Sequence, residues 1–277
     1  MRWADASTAS AALLGYPARS ALKLLSLSRS HPGLLPRGAS VLDLGCSPGA
    51  FLQVAAEAVG ERGVVFGIDL AEVDVGALER RRAPFLAAAA AGKHGLLPAP
   101  VFTRVGDVLE LTPQTLSALF RQALERHERL GEGKAAAAAA GFFPRSAPAA
   151  VSSFGAVLSD LCHSTLGVRS ADAARSLALA RAAARLALGG GGEAEEGEVG
   201  PLRPSRCSFS SPPSSSPFGR GGVLARGGSF LVKILEGADT PAFAAALKPC
   251  FDSVKWARPP ATRSGSTEVY LLGLGRR

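Results

Sequence analysis

The sequence predicts an α/β fold: a mostly parallel sheet with helices on both faces and an antiparallel hairpin at one edge. Three observations carry this. Short apolar strands alternate with helical segments along most of the chain, the pattern of a parallel sheet joined by crossover helices. The run VLDLGCSPGAF, Val41 to Phe51, passes from strand through a Gly/Pro turn into a helix. The last two strands are joined only by the short segment RPPATRSGST, too short for a helical crossover.

The elements follow in order. A first helix is predicted from Pro17 to Ser28, with proline suited to the first helical position and Ala21, Leu22, Leu24, Leu25 and Leu27 making it strongly apolar. Lys23 then projects from an otherwise buried helix. A strand over Ser40 to Leu44 leads through the turn into a helix over Phe51 to Val59. The second strand, Val64 to Leu70, carries Asp69 at its end, and the third, Val101 to Val105, runs into Gly106-Asp107. The fourth, Ala156 to Ser159, ends on Asp160 and precedes an alanine-rich helix over Ala171 to Leu188. The fifth, Ser229 to Leu235, carries Lys233. A helix over Pro241 to Leu247 leads to closing strands at Ser253 to Ala257 and Glu268 to Gly273.

Two segments break this rhythm. Residues 127–150 open on a polar, mixed-charge stretch, contain an alanine run and end in Pro/Ser-rich sequence, and 189–222 holds a glycine run, an acidic patch and SFSSPPSSSP. Neither has the apolar periodicity to bury a core, so both read as disordered surface insertions in one domain spanning 1–277. No stretch reaches the ~18–20 consecutive apolar residues of a membrane span, and a soluble monomer is expected. The net charge of +8 and pI near 9.9 fit an anionic partner such as nucleic acid. A coding bias toward arginine gives the same number, and charge alone does not choose. Four scattered cysteines, with no CxxC and no histidine at ligand spacing, argue against a zinc site and a disulfide framework and fit a reducing compartment. The Ala/Ser-rich start with few acids fits a short organellar transit segment, so a mitochondrial or other organellar location is favoured over a cytoplasmic or nuclear one.

The turn Gly45-Cys46-Ser47-Pro48-Gly49 lies at the carboxyl end of a strand, where open α/β sheets bind ligands. Small residues there admit a ligand close to the backbone. The spacing is not GxGxxG, which disfavours a dinucleotide pyrophosphate and hence a nicotinamide dehydrogenase. Asp69 can take a ribose hydroxyl pair and Asp107 the exocyclic amine of adenine. Together they describe an adenosine with a small charged tail, S-adenosylmethionine.

At this point the chain resembles the FtsJ/RrmJ-type RNA 2′-O-ribose methyltransferases. ARSALKLL, VLDLGCSPGAFLQVA, GIDL, GDV, VLSD followed by Gly167, Asp172 and Arg175, GGSFLVKIL and the closing RSGSTEVYLL fall in that family's order. The likeness covers roughly residues 16–126, 151–188 and 223–275, and is nearest the bacterial and organellar ribosomal RNA branch. It implies a Rossmann-like S-adenosylmethionine-dependent fold with seven strands. It implies a catalytic tetrad of Lys23, Asp160, Lys233 and Glu268, and cofactor contacts at Gly45, Gly49, Phe51, Asp69, Asp107 and Asp160. Relatives often carry tryptophan in place of Phe51, an Ala-Ala pair in place of Cys46-Ser47, and a Met-Ala-Pro-like run where this chain has LCHSTLG after Asp160.

The implied chemistry aligns a ribose 2′-hydroxyl with an electrophilic methyl group and removes its proton. A lysine accepts a proton only when neutral, a state promoted by burial and a nearby cation. Lys233, in the apolar run FLVKIL, is the expected base. Lys23 raises the local positive potential, Asp160 orients Lys233 or the methyl end of the cofactor, and Glu268 holds one lysine by a charge-assisted bond. His163 lies close to Asp160 but in a loop with no evident partner, and reads as incidental. The expected substrate is RNA, as ribosomal RNA or a large-subunit particle, with a uridine of large-subunit ribosomal RNA as target. Transfer RNA, a messenger cap and a non-catalytic assembly role on the same fold are the alternatives.

Overall fold

The computed structural model describes residues 10–12, 14–90, 97–135, 153–190, 218, 221–263 and 265–277. Its strands are β1 (Ser40–Leu44), β2 (Val64–Asp69), β3 (Val101–Val105), β4 (Phe154–Ser159), β5 (Leu224–Leu235), β6 (Phe251–Ala257) and β7 (Glu268–Arg276). The helices are α1 (Ser20–Ser30), α2 (Ala50–Val59), α3 (Val75–Ala90), α4 (Pro113–Ala135), α5 (Arg169–Leu188) and α6 (Thr240–Leu247).

All seven strands form one sheet in the order β3-β2-β1-β4-β5-β7-β6. The first five are parallel. β7 inserts antiparallel between β5 and β6, so β6 is the outer edge and β7 is interior. Chain order reverses at β1, which pairs with β2 on one side and β4 on the other. A crevice opens at the carboxyl ends of such strands.

Period-two alternation sends neighbouring side chains to opposite faces, and each face has its own core. Leu42 and Leu44 of β1 join Phe230, Val232 and Ile234 of β5 under α4, α5 and α6, where Leu116, Phe120, Leu177 and Phe243 are buried. Val41, Leu158, Leu231 and Tyr270 face the other way, under α1 and α2, against Leu24, Leu27, Phe51 and Leu52. Lys233, two residues from Leu231, and Asp43, two from Val41, therefore stand on the α1 side. α5 brings Ala180, Ala183, Ala184 and Ala187, all at most 1% exposed, onto the sheet. Small side chains let its backbone lie close, and the Leu235 N–H donates to Ser176 Oγ on that helix at 2.9 Å.

The structure departs from the sequence reading at several points. α1 begins at Ser20 rather than Pro17, because Ala18 and Arg19 form a tight turn whose carbonyls take the N–H groups of Ala21 and Leu22. Two helices, α3 and α4, have no counterpart in that reading. α3 contains Pro84 and an arginine and alanine run, which blurs an apolar stripe. α4 does carry the signal: Leu116, Leu119, Phe120, Ala123 and Leu124 recur at helical spacing and pack on the core. It also extends to Ala135, so the first part of the segment 127–150, read as an insertion, is helical. The remainder of that segment lies outside the described residues.

The second insertion, 189–222, is shorter than its expected bounds. Gly190 and Phe218 form an isolated antiparallel bridge. Phe218 stands edge-on to Phe243, with ring centroids 6.4 Å apart. Gly222 abuts the end of α5: a Cβ there would lie 2.3 Å from Gly189 N and from Leu188 C, so only glycine fits. Residues 191–217 lie outside the described set, but the bridge holds their two ends together. Joining Gly190 to Phe218 by a short Gly/Ser linker should leave the melting temperature unchanged or slightly raised, since loop closure depends weakly on length. Calorimetric melting checks this, and a clear drop would show that 191–217 contribute to the core.

Candidate active site

A cleft of about 300 Å³ opens at the carboxyl ends of β1, β2, β3 and β4, lined by Gly45, Ser47, Asp69, Gly106, Asp107, Asp160, Leu161, Cys162 and His163 among others. That size sits at the lower end of small-molecule sites. Gly45 has φ of 81°, a left-handed conformation that favours glycine. Any Cβ there would come within 3.0 Å of the Leu161 backbone, so the two opposing loops touch at this point.

The acids of the cleft are tied to the loops they support. Asp69 accepts the Ser47 N–H on Oδ2 at 2.9 Å and the Ala71 N–H on Oδ1 at 2.8 Å. Asp107 accepts the Leu109 N–H at 2.9 Å and caps a short 3₁₀ turn. Each carboxylate oxygen has a further lone pair for a ligand hydroxyl or amine. Gly49 and Phe51 do not line the cleft. Gly49, with φ of 103°, packs the start of α2 against Val73 and Leu78, 3.2 Å from where its Cβ would be, and Phe51 is buried in the core under that helix. Cys46 is buried beside them, and desolvation pushes its thiol pKa up.

The structure brings Lys23, Asp160, Lys233 and Glu268 together from α1 and three strand ends. They form two ion pairs. The Lys23 Nζ donates to Glu268 Oε1 at 2.5 Å, and the Lys233 Nζ lies 3.0 Å from Asp160 Oδ1 while donating to the Asp160 backbone carbonyl at 2.8 Å. Both lysines are only 7% exposed. Sheet register sets this placement: Lys233 is opposite Tyr270, and Glu268 is opposite Leu235.

Tyr270 joins the pairs, and the sequence reading missed it although it lies within the EVYLL run. Its hydroxyl donates to Asp160 Oδ1 at 2.9 Å, and its ring lies beneath the Lys23 ammonium, 6.0 Å from centroid to nitrogen. Burial, then the charges of Asp160 and Glu268, hold its hydroxyl pKa well above the usual range. The phenol is therefore a donor that stays protonated.

Lys233 differs from expectation in its resting state. Burial alone pulls its pKa down, but the Asp160 carboxylate and its hydrogen bond, with smaller contributions from Cys162 and Glu268, outweigh that and hold it above the ordinary lysine value. The amine rests as an ammonium. The nearby cation expected to lower it, Lys23, is matched by Glu268.

Asp43 is a second residue that the sequence reading passed over. It is fully buried, and neither carboxyl oxygen has a partner among the described residues. Desolvation, then the charges of Asp160 and Asp69, raise its pKa well above the usual carboxyl range. Between the unfolded and folded pKa values only the folded chain holds the proton, so stability falls as pH rises. Replacing Asp43 by Asn removes that titration. The melting temperature of Asp43→Asn relative to wild type should therefore climb as pH rises from 4 towards neutrality, about pKa 3.9 being the unfolded value. A pH-independent difference would contradict this.

His163, read as incidental, has a partner after all: its Nε2 lies 3.4 Å from Asp172 Oδ1. The partner belongs to α5, brought alongside only by the fold.

A glycine-floored cleft rimmed by acids at the switch point of a Rossmann-like sheet, with Asp160 of its lining tied into two buried lysine–carboxylate pairs, is the arrangement of a group-transfer enzyme. The chain belongs to the FtsJ-like methyltransferase family, whose model matches residues 16–276. It is 30% identical over 276 residues to the ribosomal RNA large subunit methyltransferase E of Desulforapulum autotrophicum, covering 100% of this chain and 94% of that protein. The protein of the same name in Myxococcus xanthus is 31% identical over 263 residues, covering 95% and 84% of the two chains. In structure the chain is similar to a Plasmodium falciparum protein described as a ribosomal RNA methyltransferase. The TM-score is 0.56 at 16% identity, covering 94% of this chain and 98% of that one, a likeness of fold. No described helix is long and apolar enough to cross a membrane.

Proposed function

We propose that this protein transfers a methyl group from S-adenosylmethionine to a ribose 2′-hydroxyl of RNA, with a uridine of large-subunit ribosomal RNA as the target. The observation that carries the proposal is the meeting of two buried lysine–carboxylate pairs and a tyrosine hydroxyl around Asp160, which lines the cleft. The names of its relatives and the net charge of +8 support RNA as the substrate.

The cleft suits the cofactor by its donor set. In this reading Asp69 takes the ribose hydroxyls and Asp107 the adenine amine, both being cleft-lining carboxylates, and Gly45 leaves room for close backbone approach. Bound there, S-adenosylmethionine supplies an electrophilic methyl group. The chain's own residues do the rest. Asp160, held by Tyr270 and Lys233, fixes the amine of Lys233 at the cleft end. Lys233 takes the hydroxyl proton once it has lost its own to solvent. Lys23, fixed by Glu268, adds positive potential where alkoxide charge develops.

Asp69→Ala should weaken S-adenosylmethionine binding by roughly 1–3 kcal/mol, the cost of losing a hydrogen-bonded charged partner, and calorimetry reads it directly. Unaltered affinity would remove Asp69 from the site. The reaction is tested by transfer of tritium-labelled methyl groups to ribosomal RNA, large-subunit particles, transfer RNA and capped RNA, followed by mapping of 2′-O-methyl positions. Labelling of large-subunit RNA at a uridine supports the proposal. Exclusive labelling of another RNA redirects the substrate, and RNA binding without labelling leaves an assembly factor.

A further inference from the structure

We infer that His163 is a positioning residue of the cofactor site, pinning to Asp172 the end of the post-β4 loop that walls the cleft. The inference rests on the cofactor site proposed above. Leu161, Cys162 and His163 line the cleft directly after Asp160, and the loop from Leu161 to Val168 contains no helix or strand. Leu161 packs on the core, but beyond it the apolar residues do little to hold the loop, since Leu166 is 58% and Val168 54% exposed. Polar contacts fix that remainder.

Those contacts converge on Asp172 in the first turn of α5. Its Oδ1 accepts the Leu166 N–H at 2.8 Å and its Oδ2 the Gly167 N–H at 3.0 Å. These bonds, the Leu166 one foremost, hold the carboxyl below the usual carboxylate range, so it is an anion with acceptor capacity to spare. They secure only the far end of the loop. Between core-packed Leu161 and that far end, the loop is tied to the same carboxylate through the imidazole, Nε2 to Oδ1. The other ring nitrogen, Nδ1, is buried with no partner among the described residues, so Asp172 is what orients the ring. With Nε2–H donating, Nδ1 is the bare acceptor. Leu161, two residues away, is the backbone that Gly45 must clear, so release of this tie shifts the wall opposite the glycine turn.

Two measurements on the full chain test this. The first is amide hydrogen exchange over residues 161–163 in the free protein. Exchange should speed up in His163→Ala and return towards wild type in His163→Gln, whose amide N–H can reach Asp172 from a similar position. The second is calorimetric binding of S-adenosylhomocysteine. His163→Ala should weaken it on the order of tenfold, as for loss of a hydrogen bond to a charged group. Glutamine should restore most of the affinity and His163→Leu none. In turnover the loss should appear in the KM for S-adenosylmethionine, with kcat at saturation within about twofold, because the residue orders the ground-state site. Unchanged exchange and affinity in His163→Ala overturn the inference, as does a glutamine variant as impaired as alanine. Failure of the wild type to bind S-adenosylhomocysteine overturns the cofactor reading and, with it, the cofactor role of His163, whereas the exchange result still decides whether the pin exists.

Discussion

Lys233→Ala should reduce kcat by about 10²–10⁴-fold, the range associated with loss of a general acid–base group. Cofactor affinity should remain within about twofold of wild type, because the lost interaction is made chiefly in the transition state. Lys233→Arg should fare little better, since a guanidinium stays protonated and cannot accept a proton. Because Asp160 holds the resting amine above the ordinary lysine pKa, the neutral form is scarce at pH 7 and kcat should rise with pH into the alkaline range. Rapid-quench methyl transfer across pH reads all three effects. Near-normal turnover in Lys233→Arg would reduce the residue to a source of positive charge.

Asp160→Asn carries the second large effect. It leaves the Lys233 ammonium buried without its counter-charge and the Tyr270 hydroxyl without a carboxylate to donate to. Breaking a buried pair from one side costs about 3 kcal/mol or more, which chemical denaturation would show. The amine pKa, freed of its main raising influence while burial still pulls it down, should fall. If Lys233 is the base, the alkaline rise in kcat should move to lower pH in this variant even as its plateau drops. A plateau loss without displacement of the profile would separate Asp160 from the proton-accepting group. The sign for stability is the reverse of a carboxylate's. A lysine whose folded pKa is raised contributes fully below its unfolded value, about 10.4, and loses that contribution only as pH rises through the folded value. Melting at neutral pH therefore samples the intact pair.

Much of this site was legible before the fold was known, because strand ends declare themselves. Asp69, Asp107 and Asp160 each follow a short apolar run, and Lys233 interrupts one, which is costly unless the amine is partnered. What the sequence does not carry is pairing. Either carboxylate could have served either lysine, and only the register of β7 against β5, with α1 laid across it, assigns Glu268 to Lys23 and Asp160 to Lys233. Tyr270 and Asp43 were hidden inside strand runs, where a tyrosine reads as core and a lone aspartate shows no partner. His163 reads as partnerless in the sequence because its partner, Asp172, is brought beside it only by the helix. Gly49 and Phe51 show the converse: both belong to the motif around the cleft, yet the structure uses their small size and apolar ring for packing α2. Helix α4 was legible in the spacing of Leu116, Leu119, Phe120, Ala123 and Leu124 and was passed over, whereas its continuation to Ala135 was not, since the sequence there is polar and mixed in charge.

The insertion of β7 between β5 and β6 has a temporal consequence. It makes a strand near the end of the chain an interior member of the sheet, and it joins Glu268 to Lys23 across 245 positions. During synthesis at roughly 5–20 residues per second, Lys23 waits on the order of tens of seconds for its counter-ion. The cleft acids on β1 to β4 can gather early, while the lysine–carboxylate pairs form only after the last strand has emerged and slid between its neighbours. A nascent chain can thus acquire a pocket before it acquires reactivity, and any product of interrupted translation that stops short of β7 carries the first without the second.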